Sequence, residues 1–421
     1  MPVNISGNGS ITGLTDLAEP TEINSGSNDL VLKAHGAESL KCTSTENIFD
    51  KKINVNGDVQ MASLNSGQFA GFRNKIINGA MQVAQRGVQE TGVTTAGYYT
   101  CDRWNASVSG LGTWTVDQST DAPDGFSNSF IITCTTADAS PAASDRIWVD
   151  HNMEGQNLQD LQFGSAGAKE ITASFWVKSN KTGTATVNLF QPDNTNKQYS
   201  TSYTINASNT WEYKTITVPG DTAGSIDNDN GLGLQLEWVL NSGSTYTGGS
   251  GSSSWGSFDN ANRNFANLGV GGAVSDYFAI TGVQLEVSPV ATPFEHRPYG
   301  TEFALCQRYF QKYESVEFIG LPMNGRGTGS STVDALYQLR TPMRTTPTGT
   351  YTGALSGFRA TRVDTAANLT PTAVVVSGLN VAPYQYVKIA GTVSSITAGQ
   401  ACVMTSTTNG GNFAFEVDAE L

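Results

Sequence analysis

The chain has 421 residues, only 14% of them charged, with 45 Gly and a formal charge of −13. Lys and Arg are sparse and scattered, which argues against nucleic-acid binding, since phosphate neutralisation needs clustered cations. No run approaches the ~18 apolar residues of a membrane span, and the opening MPVNISGNGS has neither a basic nor an apolar signal region. The expectation is a cytoplasmically made protein with no membrane insertion.

Residues 1–72 differ from the rest. Short alternating runs, Leu30–Lys33, Ser39–Cys42 and Ile53–Val55, are separated by turns at Gly36 and Asn56-Gly57. Each is too short to bury a core alone. Several chains wrapping together would bring the apolar residues onto a shared axis, giving an intertwined homo-oligomer. The alternative is a flexible tail.

Residues 73–300 read as the main unit. Strands are expected at Ser129–Thr135, Ile171–Lys178, Thr184–Phe190, Trp211–Val218, Leu232–Leu240 and Tyr277–Val287, separated by Gly, Asn, Asp and Pro turns. Many short strands with turn signals imply a sandwich or barrel. The alternation assigns faces. Leu232, Leu234, Leu236, Trp238 and Leu240 share one side, as do Ala185, Val187 and Leu189, and Ile171, Ala173, Phe175 and Val177. Trp211 and Trp238 read as core. A short helix is expected at Thr301–Tyr309, where Leu305 and Tyr309 are four apart on one face. Strands resume at Ala335–Arg340, Ala373–Val376, Tyr386–Val393, Ala401–Thr405 and Asn412–Val417, split by Pro342, Pro347 and Pro371. They suggest a second, smaller sandwich. The fold class is all-β.

The five Cys (Cys42, Cys101, Cys134, Cys306, Cys402) are far apart, without disulfide or zinc spacing. They read as reduced, mostly buried thiols. Three His (His35, His151, His296) leave little material for a metal site or a catalytic triad.

Three segments carry a family likeness. Asn74-Lys75-Ile76-Ile77-Asn78-Gly79-Ala80-Met81, Gln85-Arg86-Gly87 and Asp102-Arg103-Trp104 resemble the opening of a bacteriophage tail-fibre module. The closing segments, Ile280 to Glu286, Thr292 to Tyr299 and Cys306-Gln307-Arg308-Tyr309-Phe310, are similar to its end. The family usually carries Trp before Gln-Arg-Gly, where this chain has Ala84. Met343-Arg344-Thr345-Thr346-Pro347-Thr348 resembles a strand and turn that often follow the module, and Leu30–Val59 resembles trimeric fibre shafts.

The resemblance implies three parts. Residues 1–72 would attach to the virion and form a stalk, 73–300 would be a jelly-roll β-sandwich like carbohydrate-binding modules, and 301–421 a C-terminal β-domain with a short leading helix. It further implies a homotrimer, a virion location in the tail fibre, contact with phage tail or adaptor proteins through the N-terminus, and adhesion to host envelope polysaccharide. Arg103, Arg297 and Arg308 would tie loops and termini together.

Glycan contact needs aromatic rings for the CH faces of sugars and amides or carboxylates for the hydroxyls. The Gly/Ser-rich loop with Tyr246, Trp255 and Phe258 offers exposed aromatics, unless Trp255 folds back as a plug or meets another subunit. Trp176, Asn188, Phe190, Gln235, Glu237 and Gln284 would form a concave floor, unless a loop or neighbouring chain covers it. Asp227 and Asp229 offer weak oxygen ligands for a structural Ca²⁺, against a plain solvated turn. No other cofactor is expected. Glycoside hydrolysis would need two carboxyls ~5–10 Å apart; Glu237 and Glu286 are the available pair, and the expectation is no catalysis. The alternatives are a structural head or baseplate protein, or a depolymerising tailspike, whose long β-helical repeats are absent from the sequence.

Overall fold

The computed structural model describes residues 72–194, 196–314, 323–382, 384–406 and 413–421. The expected stalk runs Leu30–Lys33, Ser39–Cys42 and Ile53–Val55 lie outside these residues. The first unit has strands β1 (Gln89–Val93), β2 (Gly97–Tyr98), β3 (Trp104–Ser109), β4 (Thr113–Ser119), β5 (Ser129–Thr136), β6 (Arg146–Glu154), β7 (Ile171–Ser179), β8 (Gly183–Gln191), β9 (Lys197–Ile205), β10 (Glu212–Val218), β11 (Leu232–Ser242), β12 (Gly256–Ser257) and β13 (Tyr277–Val287). They make two antiparallel sheets, ordered β1-β4-β5-β13-β7-β10 and β12-β9-β8-β11-β6-β3-β2. This is a jelly-roll sandwich.

The alternating residues meet between the sheets. Leu234, Leu236, Trp238 and Leu240 of β11 face Ala173, Phe175 and Val177 of β7 in one core. Trp238 bridges the layers, with its ring 5.4 Å from Phe175 and 5.7 Å from Trp104. Packing of inner faces is what stabilises a sandwich. Trp211 is not part of this core. Ile216 and Val218 point inward, so the parity of β10 sends Trp211 and Tyr213 to the other side.

The second unit begins with α1 (Tyr299–Gln307) and continues through β14 (Phe310–Glu314), β15 (Met323–Gly327), β16 (Thr332–Gln338), β17 (Thr348–Gly353), β18 (Phe358–Arg362), β19 (Asn368–Leu369), β20 (Ala373–Gly378), β21 (Tyr386–Thr392), β22 (Ala401–Ser406) and β23 (Phe413–Asp418). Among the described residues these strands form one antiparallel sheet, ordered β14-β23-β17-β20-β21-β16-β15-β22-β18-β19. The sheet curls on itself around its own core. Phe358 of β18 and Phe413 of β23, near opposite ends of that order, have rings 5.7 Å apart. Cys101, Cys134, Cys306 and Cys402 are buried free thiols.

A buried ionic seam joins the two units. Arg103 is fully buried and sits at φ +72°, a backbone region costly for a bulky residue. Its guanidinium pairs with Glu420, donates to the Asn152 carbonyl and lies 3.5 Å over the Tyr309 ring. Arg86 reaches Asp418 at 2.8 Å and covers the Phe310 ring at 3.7 Å. Arg308 forms a fork with Glu154, both contacts 2.7 Å. Arg344 donates to the carbonyls of Ala419, Glu420 and Asn230. Arg297 donates to the Ile76 and Asn74 carbonyls. Gln85-Arg86-Gly87, Asp102-Arg103-Trp104 and the Cys306 to Phe310 segment therefore meet at this joint.

Breaking a buried pair from one side leaves an uncompensated charge, which costs ~3–5 kcal/mol. Arg103→Met is expected to lower the urea-unfolding free energy of the full chain by about that much. Adding Glu420→Gln should recover part of the loss, because the stranded carboxylate is then gone. A loss under ~1 kcal/mol for Arg103→Met would remove the seam from the stability argument.

Candidate functional site

The outer face of the seven-stranded sheet carries a polar row set by register. Tyr98, Asn105, Asp150, Glu237, Asn188 and Ser200 lie opposite one another on β2, β3, β6, β11, β8 and β9. Asn105 Nδ2 and Gln235 Nε2 each donate to Asp150 at 3.2 Å. Asn188 Nδ2 donates to Glu237 Oε1 at 2.8 Å, and Ser200 Oγ to Asn188 Oδ1 at 2.7 Å. This row is not an open floor. Asn188 and Glu237 are buried beneath the segment between β11 and β13. From that segment Arg263 pairs with Glu237 and lies 4.0 Å over the Trp148 ring. A buried carboxylate needs such a partner, and the covering loop supplies it.

The covering loop also uses the aromatics expected to be exposed. Tyr246 is buried in a small cluster with Trp148 and Val239. Phe258 lies edge-on to Phe190 at 5.0 Å. Trp255 packs against Phe163 and Tyr199, and its Nε1 donates to the Pro219 carbonyl at 2.7 Å. It is a half-buried plug, because Gly256–Ser257 adds to the sheet edge beside β9 and pulls the ring inward. Sequence pattern alone does not find Arg263, Trp148 or Asp150. β6 is buried along almost its whole length, so it shows no alternation to read.

On the six-stranded sheet, Gln284 is likewise buried. It donates to Glu286 Oε1 at 2.8 Å, and its own Oε1 accepts from the Glu295 N–H at 2.8 Å. Glu237 and Glu286 stand on different sheets, in β11 and β13, each on an outward-facing parity. The sequence offers them as a carboxyl pair; the topology separates them.

Trp176 is different. It projects from the outer face of β7, directly opposite Tyr213 of β10, with ring centroids 5.4 Å apart. Tyr213 is 45% exposed. Trp211 stands on the same face, its Nε1 donating to Asp121 Oδ1 at 3.1 Å, and Lys178 Nζ donates to Asp121 Oδ2 at 2.6 Å. The Lys178 ammonium, helped by the Trp211 N–H, holds the Asp121 carboxyl below its usual range. The band continues across β13. Gly282, at φ +60°, has no side chain there, and a Cβ would come within 2.6 Å of the Phe126 ring and 3.0 Å of Trp176. Phe126 in turn meets Phe294 at 5.0 Å and the exposed His296 at 5.4 Å. Parity is the signal that points to Trp211 and Tyr213, since the inward residues of β10 are fixed by Ile216 and Val218.

Asp227 and Asp229 sit in turns. Asn194 Nδ2 donates to Asp227 Oδ1 at 3.1 Å, and the Gly231 N–H donates to Asp229 Oδ1 at 2.8 Å. Among the described residues no three His, Cys, Asp or Glu side chains converge as a metal site would require. Among the same residues no helix is long and apolar enough to cross a membrane.

Burial, then the nearby Glu237 charge, pushes the Asp150 carboxyl from 3.8 up to about 8. The folded chain therefore holds a proton that the unfolded chain releases above pH ~4. The stabilisation from that proton is complete below pH ~4 and is lost as pH rises towards 8, at up to ~1.4 kcal/mol per pH unit. Asp102, buried beside Arg86, is raised only to about 6, and buried His151, held well below 6.5 by desolvation, gives an opposite slope up to pH ~7 as the unfolded imidazole titrates, so pH 7–8 is the window that reports Asp150. Asp150→Asn should flatten the stability–pH profile in that window and raise stability at pH 8. Parallel profiles for the two proteins would contradict a buried, protonated Asp150.

No family model matches the chain, and no curated protein matches it. Solved structures do. The enzymatically active domain of bacteriophage CBA120 tailspike protein 4 is similar at 12% identity over 52% of this chain, with a TM-score of 0.28; the match spans 22% of that chain. A family 11 carbohydrate-binding module from Clostridium thermocellum, solved with a mixed-linked tetrasaccharide, is similar at 11% identity over 50% of this chain and 98% of its own, TM-score 0.25. A family 16 carbohydrate-binding module is similar at 11% identity over 40% and 84%, TM-score 0.21. At these values the likenesses assign no ligand and no activity.

Proposed function

We propose that this chain is a bacteriophage tail-fibre protein that adheres to host-cell glycan, and that the band around Trp176 and Tyr213 is where the glycan stacks. The observation that carries the binding site is that pair: two rings 5.4 Å apart on an outer sheet face, one of them 45% exposed. Sugar CH faces stack on such rings, while Asp121, Lys178 and His296 beside the band supply acceptors and donors for hydroxyls. The tail-fibre role rests on the segments around Asn78-Gly79, Gln85-Arg86-Gly87 and Asp102-Arg103-Trp104 that resemble the phage module. A homotrimer, N-terminal attachment to tail or adaptor proteins and a virion location belong to the same reading. Weak single sites linked in one fibre would gain avidity by orders of magnitude.

The reading is adhesion without catalysis or a required metal. Its support is that Glu237 and Glu286 occupy different sheets, and that Glu237 and Asp150 are buried, Glu237 beneath Arg263.

The test is binding of the purified, labelled full chain to candidate host cells and their isolated polysaccharides. Trp176→Ala and Tyr213→Ala should each weaken binding about tenfold, equivalent to ~1.4 kcal/mol. Trp255→Ala should lower the melting temperature and leave affinity of the folded fraction unchanged. Absence of saturable binding to cells that the parent phage infects would favour a structural head or baseplate fibre instead.

A further inference from the structure

The second unit carries a cleft of its own. It opens on the outer face of the curled sheet, has a volume of about 560 Å³, and is lined chiefly by Asn324 and Arg326 of β15, Asp334 and Leu336 of β16 and Lys388 of β21. That volume is within the range of small-ligand sites, ~300–1,000 Å³. Register builds it. Arg326 lies opposite Asp334, and Leu336 lies opposite Lys388. Val333 and Ala335 are buried, so Asp334 and Leu336 face out.

Two features of the lining are unusual for a sheet face. Leu336 is an apolar side chain in a central strand, yet it is 59% exposed. Two cations and one carboxylate line it, on a chain whose net charge is −13. Arg326 Nε lies 3.4 Å from Asp334 Oδ1, and the side chain is 72% exposed. Its two terminal nitrogens have no partner among the described residues, and neither does Lys388 Nζ. A planar guanidinium with a free fork is the group that best meets a carboxylate or phosphate with two parallel hydrogen bonds.

We infer that this cleft binds an anionic sugar residue. The acidic substituent sits on the Arg326 fork, with Lys388 adding charge. The CH face of the ring lies on Leu336, and Asn324 and Asp334 meet the hydroxyls. The site is separate from the Trp176 band and does not depend on it. A uronic-acid carboxylate and a sugar phosphate share the required chemistry.

Calorimetric titration of the full chain with oligogalacturonate, with a phosphorylated mannan and with neutral dextran of similar length tests this and separates the two acids. At least one acidic probe should bind tenfold or more tightly than dextran, and less tightly as salt is raised. The double variant Arg326→Ala, Lys388→Ala should lose tenfold or more of that affinity, whereas Trp176→Ala should not change it. Both substitutions in the double variant are on the surface, and unchanged thermal unfolding will show that it folds. Equal binding of all three probes, or unaltered acid binding by the double variant, would overturn the cleft. Loss of acid binding in Trp176→Ala alone would move the acid to the jelly roll, leaving the adhesion reading intact and the cleft refuted.

Discussion

The structure depends on one buried guanidinium. Arg103 turns at φ +72° at the head of β3, and its charge is answered by Glu420, the penultimate residue. Burying two ions is costly, and only good geometry with further hydrogen bonds offsets that cost. Here the offset comes from the Asn152 carbonyl and the Tyr309 ring. Lys could not replace Arg, because one ammonium cannot meet a carboxylate, a carbonyl and a ring face at once. The C-terminal carbonyls are then held in place. Tyr98 and Asn152 both donate to the Leu421 oxygen at 3.1 Å, and Arg344 clasps Ala419 and Glu420. The end of the second unit is thereby pinned to the seven-stranded sheet of the jelly roll.

The same rule, that a buried polar group must find a partner, explains the outer faces of the sandwich. A sheet whose polar side met water would leave Asn188, Glu237 and Gln284 exposed. Instead the segments after β11 and β13 fold over them. Each cover brings the group its sheet lacks: Arg263 for Glu237, and the Glu295 N–H for Gln284. Asp150 is the exception. Its neighbours Asn105 and Gln235 donate to it, but no cation among the described residues pairs with it directly, so burial resolves the charge by protonation instead.

Local pattern is therefore a good guide to the inner faces and a poor one to the outer faces. The parity of Leu234, Leu236 and Trp238 is enough to place them in the core, and strand β13 falls on its expected residues, Tyr277–Val287. Parity says which side of a sheet a residue takes; it does not say what covers that side. The covers come from residues distant in sequence, such as Arg263 over Trp148, and no local periodicity encodes them. β6 is illegible for a related reason, because burial of both its faces leaves no contrast between neighbours. Trp211 is the opposite case, since the information is present in the pattern. A large aromatic suggests core by its type, but two positions, Ile216 and Val218, already fix the opposite face as the inner one.

What remains open on the sandwich is then informative by elimination. A closed polar face needs a cover with matched partners, and both sheets have one over part of their outer surface. The Trp176–Tyr213 pair stays open beside the segment that seals Gln284, whose Phe294 and His296 extend the band through Phe126, and Gly282 is kept side-chain-free so that Phe126 and Trp176 can share one surface. A continuous aromatic surface beside an Asp121–Lys178 pair serves no packing need that the inner core, already filled by Trp104, Trp114 and Trp238, leaves unmet. The rigid seam adds a second consequence. Because the C-terminus is tied into the jelly roll, the band and the cleft on the curled sheet keep a fixed separation. A ligand long enough to touch both would gain the second contact without a second loss of orientational freedom. In the proposed reading, a long surface polysaccharide is such a ligand, and stiffness at the joint is what lets weak contacts add.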